Sequence, residues 1–590
     1  QSEHTAKFIL KFLGVVKMKN VPYYPVDEIV SLKNMLENSV KKYGDTNAFL
    51  VKKDRKSQYE GVTYKEFYKD VEGLGTAFMR MNLAGKKIAV IGQNRYEWAV
   101  TYLAAANGES VIVPIDKELP YEDWSHLLDF ADVTTVVYSG KFSEDMIKAR
   151  EENKKLRFLV NMDLDDNTEQ EISFKKLLLS GKMMVSEGDK SFSEVKINPD
   201  EAKILLFTSG TTAVSKGVLL SHKNICAALM GMCTMTYIGP GDVFLSILPL
   251  HHTYECNCGF LAPLYRGCTV AHCDGLKYIA KNLAESKATV MLCVPAVIEA
   301  MYKRIWSTAR KNKIDGKLKK GIKVSNSLRK MHIDMRKKIF KQIHDNFGGH
   351  FRMFVVGAAA PNPEVSKGLR DFGFLVIQGY GITECSPIVA LNRDTNFRDD
   401  SAGQAMPNIA IDVVDKNSEG IGEIVCKGPN VMLGYYQNKE ATDEVIVDGW
   451  FHTGDLGYID DEGFCHITGR KKSVIVTQNG KNIFPEELEI FLNENEFILE
   501  SMVYGEYNPE DGETYLCALI VPKYDEIKSV YGDDVSQEQI RSVIEDAVKA
   551  VNKRNPLYKY IRKFEIREKE LIKTTTGKIK RYLEMPKKEK

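Results

Sequence analysis

Several features that define broad protein classes are missing from this 590-residue sequence. A membrane-spanning helix needs about 20 consecutive apolar residues, and the longest strongly apolar candidate, residues 224–241, is interrupted by Gly231 and Pro240. This stretch therefore predicts a buried helix of a soluble protein. The 81 lysines and arginines nearly balance the 80 aspartates and glutamates, so the net charge of +1 gives no reason to expect nucleic-acid binding.

The cysteines, 11 in number, are too few and too scattered for a disulfide framework. Cys256 and Cys258 lie near His251 and His252, but only one residue separates the two cysteines. Structural zinc sites favour ligand pairs that are about two to four residues apart. We therefore expect free, buried cysteines in a reducing cytoplasm.

The N-terminal stretch, residues 5–17, contains short apolar runs that lysines interrupt. Because no small-residue cleavage site follows these runs, the stretch is a poor secretion signal. It predicts a short helix packed on its own protein, and the alternative is an amphipathic helix at a membrane surface. We expect a cytoplasmic protein on this basis.

What the sequence does contain is typical of a large globular α/β protein. Hydrophobic residues make up 44% and charged residues 27% of the chain, which supports a sizeable core. Short β-branched runs alternate with helical patterns between about residues 60 and 300, for example at 87–92, 110–115, 133–138 and 289–294. Continuous apolar strands separated by helices indicate parallel sheets that are covered on both faces.

Residues 303–341 are strongly basic, with 15 lysines and arginines against two acids, Asp315 and Asp334. Such runs are usually solvated faces of helices. The alternative is a surface that attracts an anionic ligand or a membrane. The sequence leaves both alternatives open.

The C-terminal third predicts two further units. Residues 412–469 consist of short antiparallel strands, and residues 458–467 are typical of a hairpin. The last 120 residues are enough for a small independent α/β domain. We therefore predict an N-terminal domain at residues 1–470, with stacked α/β sheets and a small antiparallel β subdomain, and a mobile C-terminal α/β domain at residues 471–590.

The most informative segment, residues 208–217, joins an apolar strand at 203–207 to another at 218–220. Glycines let a backbone approach a ligand closely, while hydroxyls, amides and a lysine can surround anionic oxygens. A Walker loop would need Ser or Thr directly after the lysine, followed by a helix. The segment predicts a different phosphate-binding loop, and it reads Thr208, Ser209, Gly210, Thr211, Thr212, Ala213, Val214, Ser215, Lys216 and Gly217.

This decapeptide resembles the phosphate-binding signature of AMP-forming adenylating enzymes, the superfamily of acyl-CoA synthetases, firefly-type luciferases and peptide-synthetase adenylation domains. Ala213 stands where that signature usually has glycine, and Ser215 stands where it usually has proline. Other motifs follow in the family's order over residues 30–585. The resemblance implies the family's fold and its use of ATP.

Two segments that end apolar strands extend the resemblance. Gly357, Ala358 and Ala359 resemble the segment against which the adenine ring lies. The second segment reads Gly379, Tyr380, Gly381, Ile382, Thr383 and Glu384. The carboxyl ends of parallel strands are where ligands bind in open sheets. Glu384 offers hard oxygen ligands to a Mg²⁺ on ATP, Thr383 can donate to the α-phosphate, and Tyr380 can stack on adenine.

Four further residues take their roles from the resemblance. Asp455 can accept both ribose hydroxyls, and Arg470 resembles the second contact to ribose and phosphate. His252 matches the residue beside the carboxylate that is activated, although the adjacent His251 makes the register uncertain. Lys578, in a motif preceded by Ile572 instead of the usual proline, resembles the catalytic lysine of the mobile domain.

The resemblance implies two half-reactions with ATP, Mg²⁺ and coenzyme A. A hinge at Lys472 would swing the small domain, withdraw Lys578 and present the loop around Gly480 to coenzyme A. The basic stretch and the segment around His252 resemble the long-chain fatty acyl-CoA ligase branch. We expect a ligase that joins a long-chain fatty acid to coenzyme A and can contact membranes peripherally; its oligomeric state is not predicted.

Two alternatives to this function are left open. The enzyme could stop at acyl-AMP or load a carrier-protein phosphopantetheine thiol, because the sequence does not distinguish the acceptor. It could also be a non-catalytic nucleotide-binding module. The intact set of charged residues, including Lys216, Glu384 and Asp455, argues against loss of activity.

Overall fold

Two large sheets carry most of the strands that the sequence predicts. The computed structural model describes residues 22–208, 216–476, 482–508, 513–574 and 577–585. Within these residues, the first sheet contains β1 (Asn47–Val51), β2 (Glu60–Thr63), β10 (Val243–Ser246), β11 (Thr269–His272), β12 (Val290–Cys293), β13 (Met353–Val356), β14 (Leu375–Gly381), β15 (Ile388–Leu391) and β16 (Gln404–Ala405). Their spatial order is β16-β15-β14-β13-β12-β10-β11-β1-β2.

The second sheet has the order β19-β9-β8-β4-β3-β5-β6-β7. Its strands are β3 (Lys87–Ile91), β4 (Val111–Ile115), β5 (Val133–Tyr138), β6 (Phe158–Asn161), β7 (Ile172–Ser173), β8 (Ala202–Thr208), β9 (Lys216–Ser221) and β19 (Gly434–Tyr435). In both sheets the central strands are parallel, as predicted, and antiparallel strands are added at the edges. The α/β class is therefore confirmed.

Helices cover the sheets and fill the space between them. In the described residues they are α1 (Leu32–Tyr43), α2 (Tyr64–Arg80), α3 (Tyr96–Asn107), α4 (Tyr121–Phe130), α5 (Ser143–Glu152), α6 (Phe174–Ser186), α7 (His222–Met235), α8 (Ala262–Tyr265), α9 (Ile279–Ser286), α10 (Pro295–Lys311), α11 (Asp315–Lys330), α12 (Arg336–Ile339), α13 (Lys341–Asn346), α14 (Pro363–Phe372), α15 (Lys439–Val445), α16 (Pro485–Asn493), α17 (Tyr524–Tyr531), α18 (Gln537–Lys553) and α19 (Arg581–Glu584). A π-helix, Tyr254–Leu261, precedes α8.

Helix α7 confirms the buried helix predicted from the apolar stretch. It contacts β9 of the second sheet and β15 of the first, so it lies between the two sheets. A helix that is apolar all round is stable only when protein surrounds it. The helix begins at Ser221, whose hydroxyl accepts from the backbone N–H of Asn224 while the Asn224 side chain accepts from the backbone N–H of Ser221.

The antiparallel region predicted at residues 412–469 is a separate sheet. It contains β17 (Ala410–Val414), β18 (Gly422–Lys427), β20 (Ile446–Val447), β21 (Trp450–Ile459) and β22 (Cys465–Arg470). Tyr458 of β21 pairs with His466 of β22, which confirms the predicted hairpin. This sheet connects the two large sheets to the small domain.

The smaller C-terminal domain has its own sheet and core. Its strands are β23 (Ile475–Val476), β24 (Asn482–Ile483), β25 (Ile498–Tyr507), β26 (Thr514–Pro522) and β27 (Ile561–Ile566). Strands β25, β26 and β27 form a three-stranded sheet on which α16 and α18 pack through Leu488, Leu492 and Ile544. The stacked sheets, the antiparallel sheet and this small α/β domain together confirm the predicted architecture.

Two other sequence features can be compared with the structure. All eleven cysteines are free and ten of them are buried. Among the helices in the described ranges, none is both long enough and apolar enough to span a membrane. The N-terminal stretch at residues 5–17 lies outside the described residues, so its predicted helix stays a prediction.

Candidate active site

A cavity of about 2180 Å³ opens at the carboxyl ends of the first sheet. Val294 follows β12, Gly357 follows β13 and Gly381 ends β14, and all three line the cavity. Lys578 of the small domain lines the same cavity. Because ligands of open α/β sheets bind at this edge, the cavity is the candidate active site.

Asp455 is a buried carboxylate at the cavity wall, with only 5% of its surface exposed. The backbone pairing of β21 with β22 puts Asp455 directly opposite Arg470, and the Arg470 Nε lies 2.8 Å from Asp455 Oδ1. Tyr380 donates from Oη to the other oxygen, Oδ2, over 2.6 Å. Burial and the charge of Asp455 raise the pKa of Tyr380, so its phenol stays protonated as a donor.

Lys216 and Glu384 both contact the same aromatic residue, Tyr435. The Tyr435 hydroxyl donates to Glu384 Oε1 over 2.9 Å, and Lys216 Nζ lies 4.6 Å from the centre of the Tyr435 ring. Lys216 begins β9, where it pairs with Thr208 at the end of β8. A cation, a carboxylate and a hydroxyl therefore stand at one end of the cavity.

The two adjacent histidines have different surroundings, although both line the cavity. His251 Nε2 lies 3.6 Å from Asp116 Oδ2. Burial, with smaller contributions from the charges of His251 and Lys578, lowers the pKa of His252 to about 3. His252 is therefore neutral at physiological pH, and it is the histidine that lies within electrostatic reach of Lys578.

Close backbone approaches explain two of the glycines. A Cβ at Gly357 would lie 2.9 Å from the Tyr254 ring, whose hydroxyl donates to Val355 O over 2.9 Å. A Cβ at Gly381 would lie 1.9 Å from the carbonyl oxygen of Pro387, where β14 pairs with β15. Ala358 adopts a φ of 72°, a strained conformation for a residue with a side chain.

An apolar branch of the cavity runs between the first sheet and the helices that cover it. Its walls come from α7, the π-helix, β12, β13 and β14. The residues that represent these five elements are Met232, Cys258, Leu292, Met353 and Ile377. Met353 lies at the start of β13 and Gly357 just beyond its end, so the cavity lining extends along the whole strand.

Lys578 stands among the charged groups contributed by the large domain. Lys578 is exposed to the open space of the cavity, although protein atoms surround its ammonium on most sides. This burial and the charge of Arg470 lower its pKa, while Asp455 and Glu384 oppose the shift. The small domain therefore delivers a lysine to the place where two carboxylates and an arginine converge.

Comparison with known proteins agrees with this geometry. Residues 36–436 match the family model described as AMP-binding enzyme, and residues 472–585 match the model described as AMP-binding enzyme C-terminal domain. The first match alone covers more than half of the chain. The chain belongs to the AMP-binding enzyme family.

Curated relatives in this family carry names of fatty acid ligases. The long-chain-fatty-acid–CoA ligase 6 of Mus musculus is 28% identical over 497 residues, which are 79% of this chain and 70% of that protein. The long-chain-fatty-acid–CoA ligase FadD15 of Mycobacterium tuberculosis is 27% identical over 457 residues, 72% of each chain. The fatty acyl-CoA synthetase B of Dictyostelium discoideum is 25% identical over 567 residues, 89% of this chain and 82% of that protein.

Solved structures share the fold of the whole chain. The anthranilate CoA ligase AuaEII in complex with anthranoyl-AMP has a TM-score of 0.74 at 18% identity and covers 95% of this chain and 97% of its own. ATP-bound MatB from Rhodopseudomonas palustris has a TM-score of 0.71 at 22% identity, and the match covers 93% of this chain and 98% of MatB. At these identities the likeness concerns the fold alone.

Most of the site residues that the sequence predicts lie at this cavity. The predicted residues that line the cavity are Thr208, Lys216, His252, Gly357, Ala358, Ala359, Tyr380, Gly381, Thr383, Glu384, Asp455, Arg470, Lys472 and Lys578. Lys472 lies in a short 3₁₀ turn, Lys471–Ser473, directly after β22. Ser209, Gly210, Thr211, Thr212 and Gly480 lie outside the described residues, so their roles stay predictions.

The residues around Glu384 fit a Mg²⁺ ion that is held mainly by nucleotide phosphates. Mg²⁺ in such sites takes one or two protein carboxylates and otherwise water and phosphate oxygens. Glu384 would supply one carboxylate, and Thr253 Oγ1 donates to Thr383 Oγ1 over 3.5 Å beside it. In the described residues no group of three His, Cys, Asp or Glu side chains could enclose a metal.

Sequence reasoning missed Tyr435, Thr253 and the pair of Asp116 with His251. Tyr435 is separated by 51 residues from the carboxylate that it contacts, and β19 brings it to Lys216 by pairing with β9. The local sequence, with Gly434 before Tyr435 and Tyr436 after it, has the ordinary pattern of a short apolar strand. Only the sheet order distinguishes Tyr435 from an ordinary buried aromatic residue.

Proposed function

We propose that this chain is an ATP-dependent fatty acyl-CoA ligase. The observation that carries the proposal is the shape of one cavity: its mouth collects Lys216, Glu384, Asp455 and Lys578, and an apolar branch leads inward from His252. A charged mouth suits a triphosphate and a carboxylate, whereas the apolar branch suits an acyl chain. Membership of the AMP-binding enzyme family supports the use of ATP.

The first half-reaction joins the acid to AMP. An oxygen of the acid carboxylate attacks the α-phosphorus of ATP, the bond from that phosphorus to the bridging oxygen breaks, and pyrophosphate leaves. Both reactants are anions, so positioning and neutralisation of charge are the main task of the site. Lys578 and Arg470 supply positive charge at the place where negative charge builds up in the transition state. Lys216 holds the terminal phosphates together with the hydroxyls of the loop that begins at Thr208.

Three neutral or acidic side chains complete the proposed roles at the mouth. Glu384 would hold Mg²⁺, which when bound neutralises phosphate charge. His252 is neutral because burial lowers its pKa to about 3, so its ring orients the carboxylate through a hydrogen bond and does not add a charge. Asp455 accepts ribose hydroxyls, and the contacts from Arg470 and Tyr380 keep its carboxylate in one orientation.

The apolar branch is long enough for much of a fatty acyl chain. The distance from Met353 to Gly357 corresponds to about 13 Å of extended strand. That length accommodates about ten methylene groups, at about 1.3 Å each for carbon–carbon bonds of about 1.5 Å. The branch continues to Thr236 and Ile238, beyond the start of β10. Long-chain acids, as in the names of the curated relatives, are therefore the proposed substrates.

The second half-reaction transfers the acyl group to coenzyme A. The thiol sulfur attacks the acyl carbon, the bond to the AMP oxygen breaks, AMP leaves, and the thiol proton is released. Lys578 occupies the mouth in this structure, so we propose that the small domain, residues 471–590, moves about Lys472 before the thiol enters. The movement would withdraw Lys578 and bring the loop around Gly480 to the pantetheine arm.

The first experiment separates a ligase from an enzyme that stops at the adenylate. We expect acid-dependent exchange of pyrophosphate into ATP, and AMP release that depends on free coenzyme A. Acids from octanoate to stearate test the chain length, and we expect the longer acids to give the higher kcat/KM. AMP release that depends on a phosphopantetheinyl carrier protein, and not on coenzyme A, would overturn the choice of acceptor. Absence of any exchange would overturn the activity.

A proline at the hinge tests the second half-reaction. Lys472→Pro restricts φ at the position that must rotate, so we expect exchange to continue while acyl-CoA formation falls. Lys471→Ala is the control, since Lys471 sits in the same turn and its ion pair with Glu423, at 2.8 Å, belongs to the antiparallel sheet. Equal acyl-CoA formation by the two variants would contradict the hinge.

We also propose that the basic stretch, residues 303–341, contacts an anionic membrane surface. Twelve of its fifteen basic side chains form no salt bridge with the residues that the structure describes. Two apolar side chains of the same stretch are also exposed, Val324 to 55% and Met331 to 68%. Cations around exposed apolar side chains suit a bilayer of acidic lipids.

Vesicle flotation tests the membrane contact. We expect the enzyme to float with phosphatidylglycerol vesicles at low salt, and to stay behind with phosphatidylcholine vesicles or at high salt. The triple variant K319E/K320E/K323E should lose this binding. Binding that ignores lipid charge, or that survives in the triple variant, would contradict the proposal.

A further inference from the structure

Lys578 stands on a short hairpin close to the C-terminal end of the described residues. Lys573 and Ile579 form an isolated antiparallel bridge, and the backbone N–H of Thr574 donates to the carbonyl oxygen of Lys578 over 2.8 Å. Helix α19 follows the hairpin directly. Contacts at its base, and the packing of Ile579 against a small apolar cluster that includes Met502 and Leu571, attach the hairpin to the rest of the small domain.

Arg581, three residues after Lys578, provides the first of these contacts. Its Nη2 lies 2.7 Å from each carboxylate oxygen of Glu489 in α16. Its Nη1 donates to the carbonyl oxygen of Val503 over 2.9 Å, and the backbone N–H of Val503 donates to Glu489 Oε1 over 2.6 Å. The three residues close a ring of hydrogen bonds that joins the hairpin to α16 and β25.

A second carboxylate holds the other side of the hairpin. Glu500 of β25 accepts from the backbone N–H of Leu571 over 2.7 Å, and Lys573 Nζ lies 2.7 Å from its other oxygen. Glu500 and Glu489 are both buried. Ionised side chains are rarely buried unless they are paired, and here both pairs lie at the base of the element that carries Lys578.

These polar contacts lie apart from the main core of the small domain, although Leu571 and Ile579 pack in a second, smaller cluster on β25 and β26. The main core of this domain consists of residues of α16, α18 and the three-stranded sheet, including Leu488, Ile520 and Ile544. No residue of the hairpin or of α19 belongs to it among the residues that the structure describes. Glu489 and Arg581 also line the active-site cavity. Their location suits positioning of a catalytic group.

We infer that Glu489 and Arg581 are positioning residues for adenylation: their ion pair, in which Arg581 Nη2 contacts both carboxylate oxygens, sets the place of the Lys578 ammonium in the cavity. The inference rests on the proposed role of Lys578 in the first half-reaction. A shift of about 1 Å in a positioned group can lower a rate by about 10²-fold. A loosened pair should therefore damage the half-reaction that uses Lys578 and spare the one from which Lys578 is withdrawn.

Two variants and one matched control test the inference on the full chain. Glu489→Gln removes the charge, and Arg581→Lys keeps the charge but removes the fork. We expect each to slow pyrophosphate exchange by about tenfold or more, while coenzyme A-dependent turnover of synthetic acyl-AMP changes by less than about twofold. Glu545→Gln is the control, because Glu545 forms an ion pair with Lys549 at 2.7 Å in α18 of the same domain and is not part of the cavity lining.

The outcomes separate the inference from the function on which it rests. Lys578→Ala, measured alongside, must lose exchange; if it does not, the proposed role of Lys578 fails. If Lys578→Ala loses exchange but Glu489→Gln and Arg581→Lys keep it, only the positioning inference fails. Equal losses in both half-reactions, in both variants, would also overturn it, because they would mean that the pair serves only the folding of the small domain.

Discussion

The charged groups of the large domain and of the small domain face one cavity, but the protein holds them in different ways. Asp455 and Arg470 are paired residues of adjacent strands, so the backbone hydrogen bonds of β21 and β22 set their separation. Lys578 stands on a hairpin that buried ion pairs attach to the small domain. A sheet holds its groups in place permanently, whereas a separate domain can bring a group and take it away.

This difference matches the proposed chemistry. In the proposed reaction, the AMP portion of the nucleotide stays bound through both half-reactions and is held by groups on strands of the large domain. Lys578 is needed in one half-reaction only, and it belongs to the domain that we propose to move. The way in which each group is held therefore predicts which half-reaction its removal should damage.

We expect the largest effect in a comparison of Asp455→Ala with Lys578→Ala, with the rates of both half-reactions measured in each variant. Removal of one group that stabilises charge in a transition state lowers a rate by about 10²–10³-fold. We expect Lys578→Ala to show this loss in pyrophosphate exchange only, with the turnover of synthetic acyl-AMP and coenzyme A retained. Asp455→Ala should lower both half-reactions and raise the KM for ATP, since it also leaves Arg470 without its ion pair.

A matched carboxylate in the same sheet controls for folding. Asp460 pairs with Arg398, as Asp455 pairs with Arg470, but it lies just after β21 and is not part of the cavity lining. Asp460→Asn should keep both half-reactions. Selective loss of one half-reaction in Asp455→Ala, or loss of both in Lys578→Ala, would remove the contrast between the two domains.

The sequence predicts the fixed half of the site better than the contacts that orient it. Lys216 begins a strand, Glu384 follows one and Asp455 lies within β21, and all three belong to motifs that local pattern reveals. The partners Tyr435 and Glu489 lie 51 and 92 residues from Glu384 and Arg581. Such pairs depend on sheet order and on the packing of α16, which no local pattern contains. The strands at residues 133–138 and 289–294 were predictable because buried parallel strands are continuously apolar.

A smaller effect is expected from Tyr435→Phe. The substitution keeps the ring beneath Lys216 but removes the hydroxyl that orients Glu384, and a hydrogen bond to a charged group contributes about 1.5–3 kcal/mol. We expect exchange to fall by about tenfold, with a higher Mg²⁺ concentration needed for half-maximal rate. Tyr436→Phe is the control, because that hydroxyl contacts Asp132 at 3.3 Å. An unchanged Mg²⁺ dependence in Tyr435→Phe would contradict the proposed role of Glu384.

The pH dependence of exchange tests the attachment of Lys578. Burial, against the opposing charge of Arg581, raises the pKa of Glu489 to about 6, and Glu486 adds to the rise. We expect exchange to decline as pH falls through about 6, because a protonated Glu489 binds Arg581 less well. Turnover of synthetic acyl-AMP should not decline there, and Glu489→Gln should lack the inflection. An identical decline in both half-reactions would contradict this assignment.

Unfolding does not account for such a decline. A carboxyl whose pKa is raised in the folded state binds its proton more tightly when folded, so protonation of Glu489 between pH 6 and its ordinary range adds stability. His252 does not titrate in this range, because burial lowers its pKa to about 3. A thermal unfolding midpoint that drops as pH falls through about 6 would point to another group.

The smallest expected effect concerns an ion pair that joins the two domains. Lys303 of α10 lies 2.6 Å from Glu526 of α17, and both side chains are largely exposed. Exposed pairs contribute about 0.2–1 kcal/mol, so Lys303→Glu should slow exchange by less than about fivefold by disfavouring the arrangement in which Lys578 enters the cavity. The double variant K303E/E526K should restore the rate. Reversal of Lys549 and Glu545, a pair at 2.7 Å within α18, should change nothing. If the double variant stays as slow as Lys303→Glu, this pair does not help to hold the small domain against the large one, and the buried contacts around the cavity carry that role alone.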